Sequence, residues 1–273
     1  MPTQPATTAP LANNHISVDC VVMGWDGERL NVLLVSRHSE GEEYRDMKLP
    51  GSLIYQDEDL DQAASRVLRE LTGVENAGLM QYKAYGSKDR TRDPRDVKWL
   101  ERAQQAHVER IVTIAYIALV KIDRSTTGCL EGHNALWMPL DGVGTLAFDH
   151  NLILSEAIMQ MRSMAVADPA LLFELLPRKF TLAQMRTLFE IVFGRKVDVR
   201  NFHKKVASMS YVVPLDEYQQ GVAHRAARFY RFDRKAYNRQ RRCPPAQTTE
   251  HSRDRGPSGH PTGNLYIHKH FKP

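Results

Sequence analysis

The sequence predicts a chain of two folded parts, a mixed α/β domain followed by a small helical module closed by a β-hairpin, and three observations predict it. Short β-rich runs alternate with helical apolar spacing over residues 15–165. Two short helix patterns joined by a tight turn follow, the second of them basic. The charge divides at the same place. Residues 1–167 carry 17 Lys/Arg against 23 Asp/Glu, a net −6, whereas residues 168–242 carry 16 against 7, a net +9. Clustered positive charge is the footprint of a nucleic-acid contact or, in the plainer reading, a solvated basic face.

The first 14 residues, rich in Pro, Thr and Ala, are expected to form a disordered arm; without Lys, Arg or a long apolar core they do not read as a secretory signal. Ser17–Trp25 and Leu30–Ser36 are β-rich runs around Asp26-Gly27, which predicts a hairpin. Leu60, Ala64, Val67, Leu68 and Leu71 recur at helical spacing, so Asp59–Leu71 reads as a helix. Arg110–Lys121 is apolar on both faces, as a buried central strand is. Ser155–Ala167 reads as a second helix. No apolar run reaches the roughly 18 residues of a membrane span. The three cysteines, Cys20, Cys129 and Cys243, match no metal spacing and suit a reducing cytoplasm.

The basic module is marked by local signals. Thr181 and Gln184 can form a capping box, Phe180 and Met185 a hydrophobic staple, and Gly194 a helix stop. Asp198 can cap a second helix with Phe202, Val206 and Met209 on its apolar side. Tyr211–Pro214 and Arg228–Phe232 then read as strands of a wing, with His224 and Arg225 in its loop. The whole is a winged helix-turn-helix pattern. Residues 236–273 are polar and rich in Pro, Gly and His, and are expected to be a disordered basic tail in which Arg239, Arg241 and Arg242 add non-specific charge.

One segment carries chemistry. Leu49–Val74 resembles the Nudix box: Gly, five residues, Glu, seven residues, then Arg-Glu-aliphatic-any-Glu-Glu-any-Gly. Anchored on Gly73, the box places its Glu at Glu58, its Arg at Arg66 and its aliphatic residue at Leu68; the first Gly falls on Ser52, one after Gly51. The match fails where active members hold Mg²⁺ against a diphosphate, because two of the three helix Glu positions are Val67 and Leu71 and only Glu70 survives. Two apolar side chains on one helical face cannot ligate a hard cation. No catalytic residue, metal site or cofactor is therefore assigned, Glu58 and Glu70 being residual box positions, and Mg²⁺ is expected only if hydrolysis is retained.

A degenerate Nudix-like domain followed by a winged helix resembles the NrtR-type Nudix-related transcriptional regulators over residues 15–233. The resemblance rests on Arg66–Gly73, Ala147–His150, Leu175–Leu182, Arg200–Phe202 and Ala227–Phe232. It implies a Nudix-like mixed-sheet sandwich over 15–165 that senses ADP-ribose or a sugar derivative. It also implies a winged helix over 166–235 and a homodimer on a palindromic double-stranded DNA operator. The sensor residues expected on guanidinium chemistry and on the Asp-Arg-Asp-Pro-like run are Arg37, Arg66, Arg90 and Arg92. The expected DNA residues are Thr181, Arg200, Asn201, His203, Lys204, Lys205 and Arg225, with Arg200 and Asn201 reading bases and the lysines gripping phosphates. His203 is read equally as a plain surface residue. Extra residues at 96–109, including Trp99, are expected to form a short helix over the pocket or a dimer contact. Two other functions remain open: a Mg-dependent Nudix hydrolase of nucleoside-diphosphate derivatives with an accessory DNA-binding domain, and an inert module whose basic part contacts another protein.

Overall fold

β1 (Ala12–Trp25) and β2 (Leu30–Arg37) form the expected hairpin, paired from Trp25↔Leu30 to Met23↔Val32. Asp26 holds its turn by accepting from the backbone N–H of Glu28 at 2.8 Å and Arg29 at 2.7 Å. The computed structural model describes residues 12–37, 46–104, 110–221 and 225–242, in two units that divide after Arg162.

In the first unit β3 (Asp46–Lys48) and β7 (Ala135–Pro139) pair with β2, and β4 (Gly51–Tyr55) pairs with the N-terminal half of β1. β6 (Val112–Lys121) runs parallel to β1 from Ile16↔Val112 to Trp25↔Lys121 and antiparallel to β5 (Met80–Tyr85), giving one mixed seven-stranded sheet. The run read as a central strand is thus central, buried through most of its length.

α1 (Leu60–Thr72) lies on one face of this sheet, its Ala63, Ala64, Val67 and Leu68 packed with Val18, Cys20 and Val22 of β1. Asp59 and Gln62 cap its start reciprocally, and Gly73 ends it in the left-handed region at φ 70°. A side chain at Gly73 would meet the Cys129 carbonyl at 2.2 Å, so the box glycine is fixed by space as well as by backbone. α2 (Pro94–Gln104) occupies most of the expected 96–109 helix; residues 105–109 lie outside the described residues. A short α3 (Arg124–Gly128) precedes β7, and α4 (His150–Ala167) begins five residues before the helix its apolar spacing suggests.

The second unit begins in the last residues of α4, and a 3₁₀ turn, Pro169–Glu174, capped by Asp168, follows. β8 (Phe180–Thr181) leads into α5 (Leu182–Phe193), and α6 (Val199–Ala207) follows after Gly194, which takes φ 63°. β9 (Val212–Tyr218) and β10 (Arg228–Phe232) form the wing, in a three-stranded sheet ordered β8-β10-β9. Phe173, Phe180, Phe189, Phe202 and Tyr211 are all buried, and Phe173 stacks on Phe232 with centroids 4.2 Å apart.

Two boundaries are corrected. The expected arm over 1–14 already belongs to β1 from Ala12, because Tyr55 of β4 offers it a partner; residues 1–11 lie outside the described residues. The expected tail from 236 is instead helical to 242, as α7 (Arg234–Arg242), because Asp233 accepts from the Ala236 N–H and Tyr237 is buried against Tyr211 and Phe232. His224 and residues 243–273 lie outside the described residues.

Candidate functional site

The alternation of β1 sends Val18, Cys20 and Val22 under α1 and leaves Ser17 and Asp19 on the opposite face. There they line a cleft of about 60 Å³ with Lys48, Arg90 and His150 as its other charged or titratable groups. Leu53, Trp99, Leu100, Ile111 and Phe148 form its apolar wall, so α2 does cover the pocket.

Asp19 is the centre of this cleft. Thr113, on the neighbouring β6, donates to its Oδ2 at 2.7 Å; the Arg90 guanidinium lies 3.5 Å from the same oxygen and His150 Nε2 3.5 Å from Oδ1. Arg90 also forks onto Asp149 at 3.1 and 2.9 Å. Lys48 donates to the Gly51 carbonyl at 2.8 Å and lies 5.4 Å from the Trp99 ring centre. Gly51 pairs with Asp19 across the strands, and a Cβ there would fall 1.9 Å from the Asp19 carboxylate, so only glycine fits. Phe148 takes φ 57°, a strained position for a bulky residue, and its N–H donates to Asp96 of α2 at 3.2 Å.

The charges explain one another. Burial alone would raise the Asp19 carboxyl, but His150, Arg90, Thr113 and Lys48 outweigh it and hold it below the usual range. Burial pushes the Lys48 ammonium down to about 8, with Arg37 adding and Asp19 opposing. Burial likewise pushes His150 down to about 4, with Lys48 and Arg90 adding to it. The imidazole is therefore neutral at pH 7; its Nδ1 accepts from the Leu49 N–H at 2.9 Å, which leaves the proton on Nε2, facing Asp19.

A pH dependence follows. His150 has a folded pKa below its unfolded value of 6.5, so the unfolded chain takes up the proton first and stability falls as pH drops from about 6.5 toward 4. At about 1.4 kcal/mol per pH unit the loss reaches roughly 3 kcal/mol. Urea unfolding at pH 7.5, 5.5 and 4.5 should show it, and His150→Gln should flatten the curve over that window relative to the parent protein.

Of the four arginines expected to read an effector, only Arg90 lines the cleft. Arg37 is 2% exposed and bonded to Asp46 and Asp96, with its guanidinium 5.2 Å from the Phe148 ring centre; it braces the wall from behind. Arg66 bonds Glu58, Glu70 at 3.1 Å and the Leu53 carbonyl at 3.1 Å, and lies 3.8 Å from the centre of the Tyr55 ring. Its main partner is Glu58. Arg92 is exposed and does not line the cleft. Asp19, Lys48, His150 and Phe148 escaped the sequence reading, whereas Trp99 was placed in the segment expected over the pocket. The one signal for them was a carboxylate set inside the apolar run Val18–Val22.

The residues at the box helix do not fit a metal ion. Val67 is fully buried in the apolar cluster beneath α1 and Leu71 packs against it. Glu58 is engaged by Arg66, Asp59 by the helix cap, and Asp61 by the Tyr116 hydroxyl at 2.6 Å. Among the described residues no three His, Cys, Asp or Glu side chains are grouped to hold an ion.

In the second unit Asp198 caps α6, and Phe202 and Val206 bury one side of it. By the 100° step of the helix, Arg200, Asn201 and Lys204 stand on the side away from that core, all exposed; His203 and Lys205 flank them, Lys205 only half exposed. Arg225 is exposed in the wing. Thr181 is a correction: it is 2% exposed and its hydroxyl accepts from the Gln184 N–H at 3.2 Å, so it caps α5 and does not face outward.

A mixed Nudix-type sheet with a box helix, and a second unit built as a winged helix-turn-helix, together define a two-domain protein of the sensor-plus-DNA-binding type. The NUDIX domain model matches residues 13–159, and the model of the NrtR DNA-binding winged helix domain matches residues 172–232. The chain belongs to the Nudix family and carries an NrtR-type winged helix at its C-terminal side. It is 27% identical over 227 residues to the ADPR responsive transcriptional repressor NtrR of Acinetobacter baylyi, covering 82% of this chain and 84% of the relative. Shewanella oneidensis NrtR superposes with a TM-score of 0.58 at 25% identity, over 80% of this chain and 94% of that one. Its complex with a 27mer DNA superposes at 0.62 with 24% identity, over 82% and 95%.

Proposed function

We propose that the chain is a DNA-binding transcriptional repressor whose Nudix-fold domain senses ADP-ribose or a related sugar derivative without cleaving it. One observation carries this reading: α1 is apolar at 67 and 71, where an active Nudix helix holds its cation, while the cleft on the other sheet face keeps its charged groups. The Acinetobacter baylyi repressor, by its name responsive to ADPR, supports the ligand class.

In this reading Arg90 and Lys48 face the diphosphate, Asp19 a ribose hydroxyl, and Trp99 and Phe148 the flat surfaces of base or sugar. The ligand works only through unequal affinity for the DNA-competent and DNA-incompetent states. The protein acts in the cytoplasm, without cofactor, as a homodimer on palindromic DNA. Support for the dimer is the outward pair Leu152 and Met159, one heptad apart on α4 and more than half exposed, a self-complementary stripe of the kind two-fold contacts use. Among the described residues no helix is long and apolar enough to cross a membrane.

The test is a titration of ADP-ribose into the full-length protein bound to the DNA upstream of its own coding sequence, in parallel with an assay of ADP-ribose breakdown in Mg²⁺. Release of DNA with intact ligand is expected. Sustained Mg²⁺-dependent turnover would overturn the sensor reading in favour of a hydrolase.

A further inference from the structure

The match to the winged-helix model ends at residue 232, but the second unit continues into α7, which has five cations in nine residues and no acid. Two of the five are engaged by the domain: Arg234 bonds Glu174, and Arg241 bonds Asp168 at 3.2 Å. Lys235, Arg239 and Arg242 are exposed and have no acidic partner among the described residues. Their spacing of four and three places them on one helical face, over about 10 Å of helix. Like charges at such spacing destabilise a helix by themselves. This helix is held against that repulsion by the Asp233 cap, by Tyr237, whose hydroxyl bonds Asp168 at 2.5 Å, and by Gln240. Gln240 accepts from the Ser210 hydroxyl at 2.7 Å and its backbone N–H at 3.3 Å. Ser210 lies in the turn just after α6, so the C-terminal half of α7 sits where the helix bearing Lys204 and Lys205 ends. A rigidly mounted row of cations, extending the basic end of a recognition helix, is complementary to a polyanion with evenly spaced charges.

We propose that α7 is a second DNA-contacting element, which grips the phosphate backbone through Lys235, Arg239 and Arg242 beyond the end of α6. It rests on the reading of this unit as a DNA-binding domain. It adds affinity and no sequence preference, because phosphates carry none.

The experiment compares the full-length protein with its Lys235→Gln/Arg239→Gln/Arg242→Gln variant. Each is titrated with the duplex upstream of its own coding sequence and with a scrambled duplex of equal length, between 50 and 200 mM salt. Loss of three phosphate contacts per protomer should flatten the dependence of log K on log salt by about 2–3 for each protomer bound, and weaken both duplexes by the same factor. Arg234→Gln, which breaks only the bond to Glu174, should leave the slope unchanged. An unchanged slope in the triple variant, with thermal unfolding as in the parent, overturns the proposal and leaves α7 to a solvated or protein-binding role. If the parent does not distinguish the two duplexes, the operator-binding reading falls instead, and the slope on the scrambled duplex still decides the role of α7.

Discussion

Arg90→Met is expected to abolish the response to ADP-ribose and to destabilise the first unit by about 3–5 kcal/mol. Arg90 is buried, with Asp149 held at 2.9 Å and Asp19 at 3.5 Å. Methionine fills a similar space but leaves Asp149 without its fork and the buried Asp19 carboxylate with His150, Lys48 and Thr113 as its other partners. The first of these is neutral at pH 7, and Lys48 is itself held down by burial. Removing this cation raises the Asp19 carboxyl relative to the parent, so the cost of the substitution should shrink as the pH falls. Arg90→Lys restores a charge but not the fork onto Asp149, and should recover part of the stability and little of the ligand response. Urea unfolding at several pH values and an ADP-ribose titration check both. A variant as stable and as responsive as the parent would show that the cleft is organised by something other than this arginine.

Arg200→Ala and Asn201→Ala are each expected to cut discrimination between operator and scrambled DNA by about 10–100-fold, and to leave the weak binding of scrambled DNA nearly unchanged. A side chain with two hydrogen bonds to one base edge contributes roughly 1–3 kcal/mol of discrimination. Both residues lie in the first turn of α6, on the side opposite Phe202 and Val206, where a recognition helix meets the bases. Lys204→Ala should behave differently, weakening all duplexes alike and lowering the salt slope by about 1 for each protomer bound. Competition binding with the two duplexes separates the outcomes. Equal losses on both duplexes for Arg200→Ala would move that residue from base reading to backbone contact.

What the sequence disclosed was local. Asp26-Gly27, Thr181 with Gln184, Gly194 and Asp198 act within four residues of themselves, and each stands in the structure where its chemistry places it. The apolar period of α1 and the doubly apolar β6 were legible for the same reason. The cleft was not, because Asp19, Thr113 and His150 lie far apart along the chain and meet only through strand pairing. A rule that guanidinium groups suit phosphate finds arginines, but not which of them a carboxylate already holds. Arg37 is closed off by Asp46 and Asp96, and Arg66 by Glu58. α7 was hidden by composition: only Ala236 and Tyr237 are buried, so its order comes from tertiary contacts that no periodicity announces.

The pairing of β1 sets when this domain can fold. Its first strand is the middle of the sheet, yet its neighbours are Leu53, opposite Ser17, and Val112, opposite Ile16. The hairpin, β3 and β4 all come from chain that precedes α1. The other side of β1 waits until the sixth strand has left the ribosome, and until then that edge of β1 and part of the apolar side of α1 are uncovered. Non-local pairing of this kind closes slowly, so the nascent chain should depend on holding factors during synthesis more than the finished domain's stability would suggest.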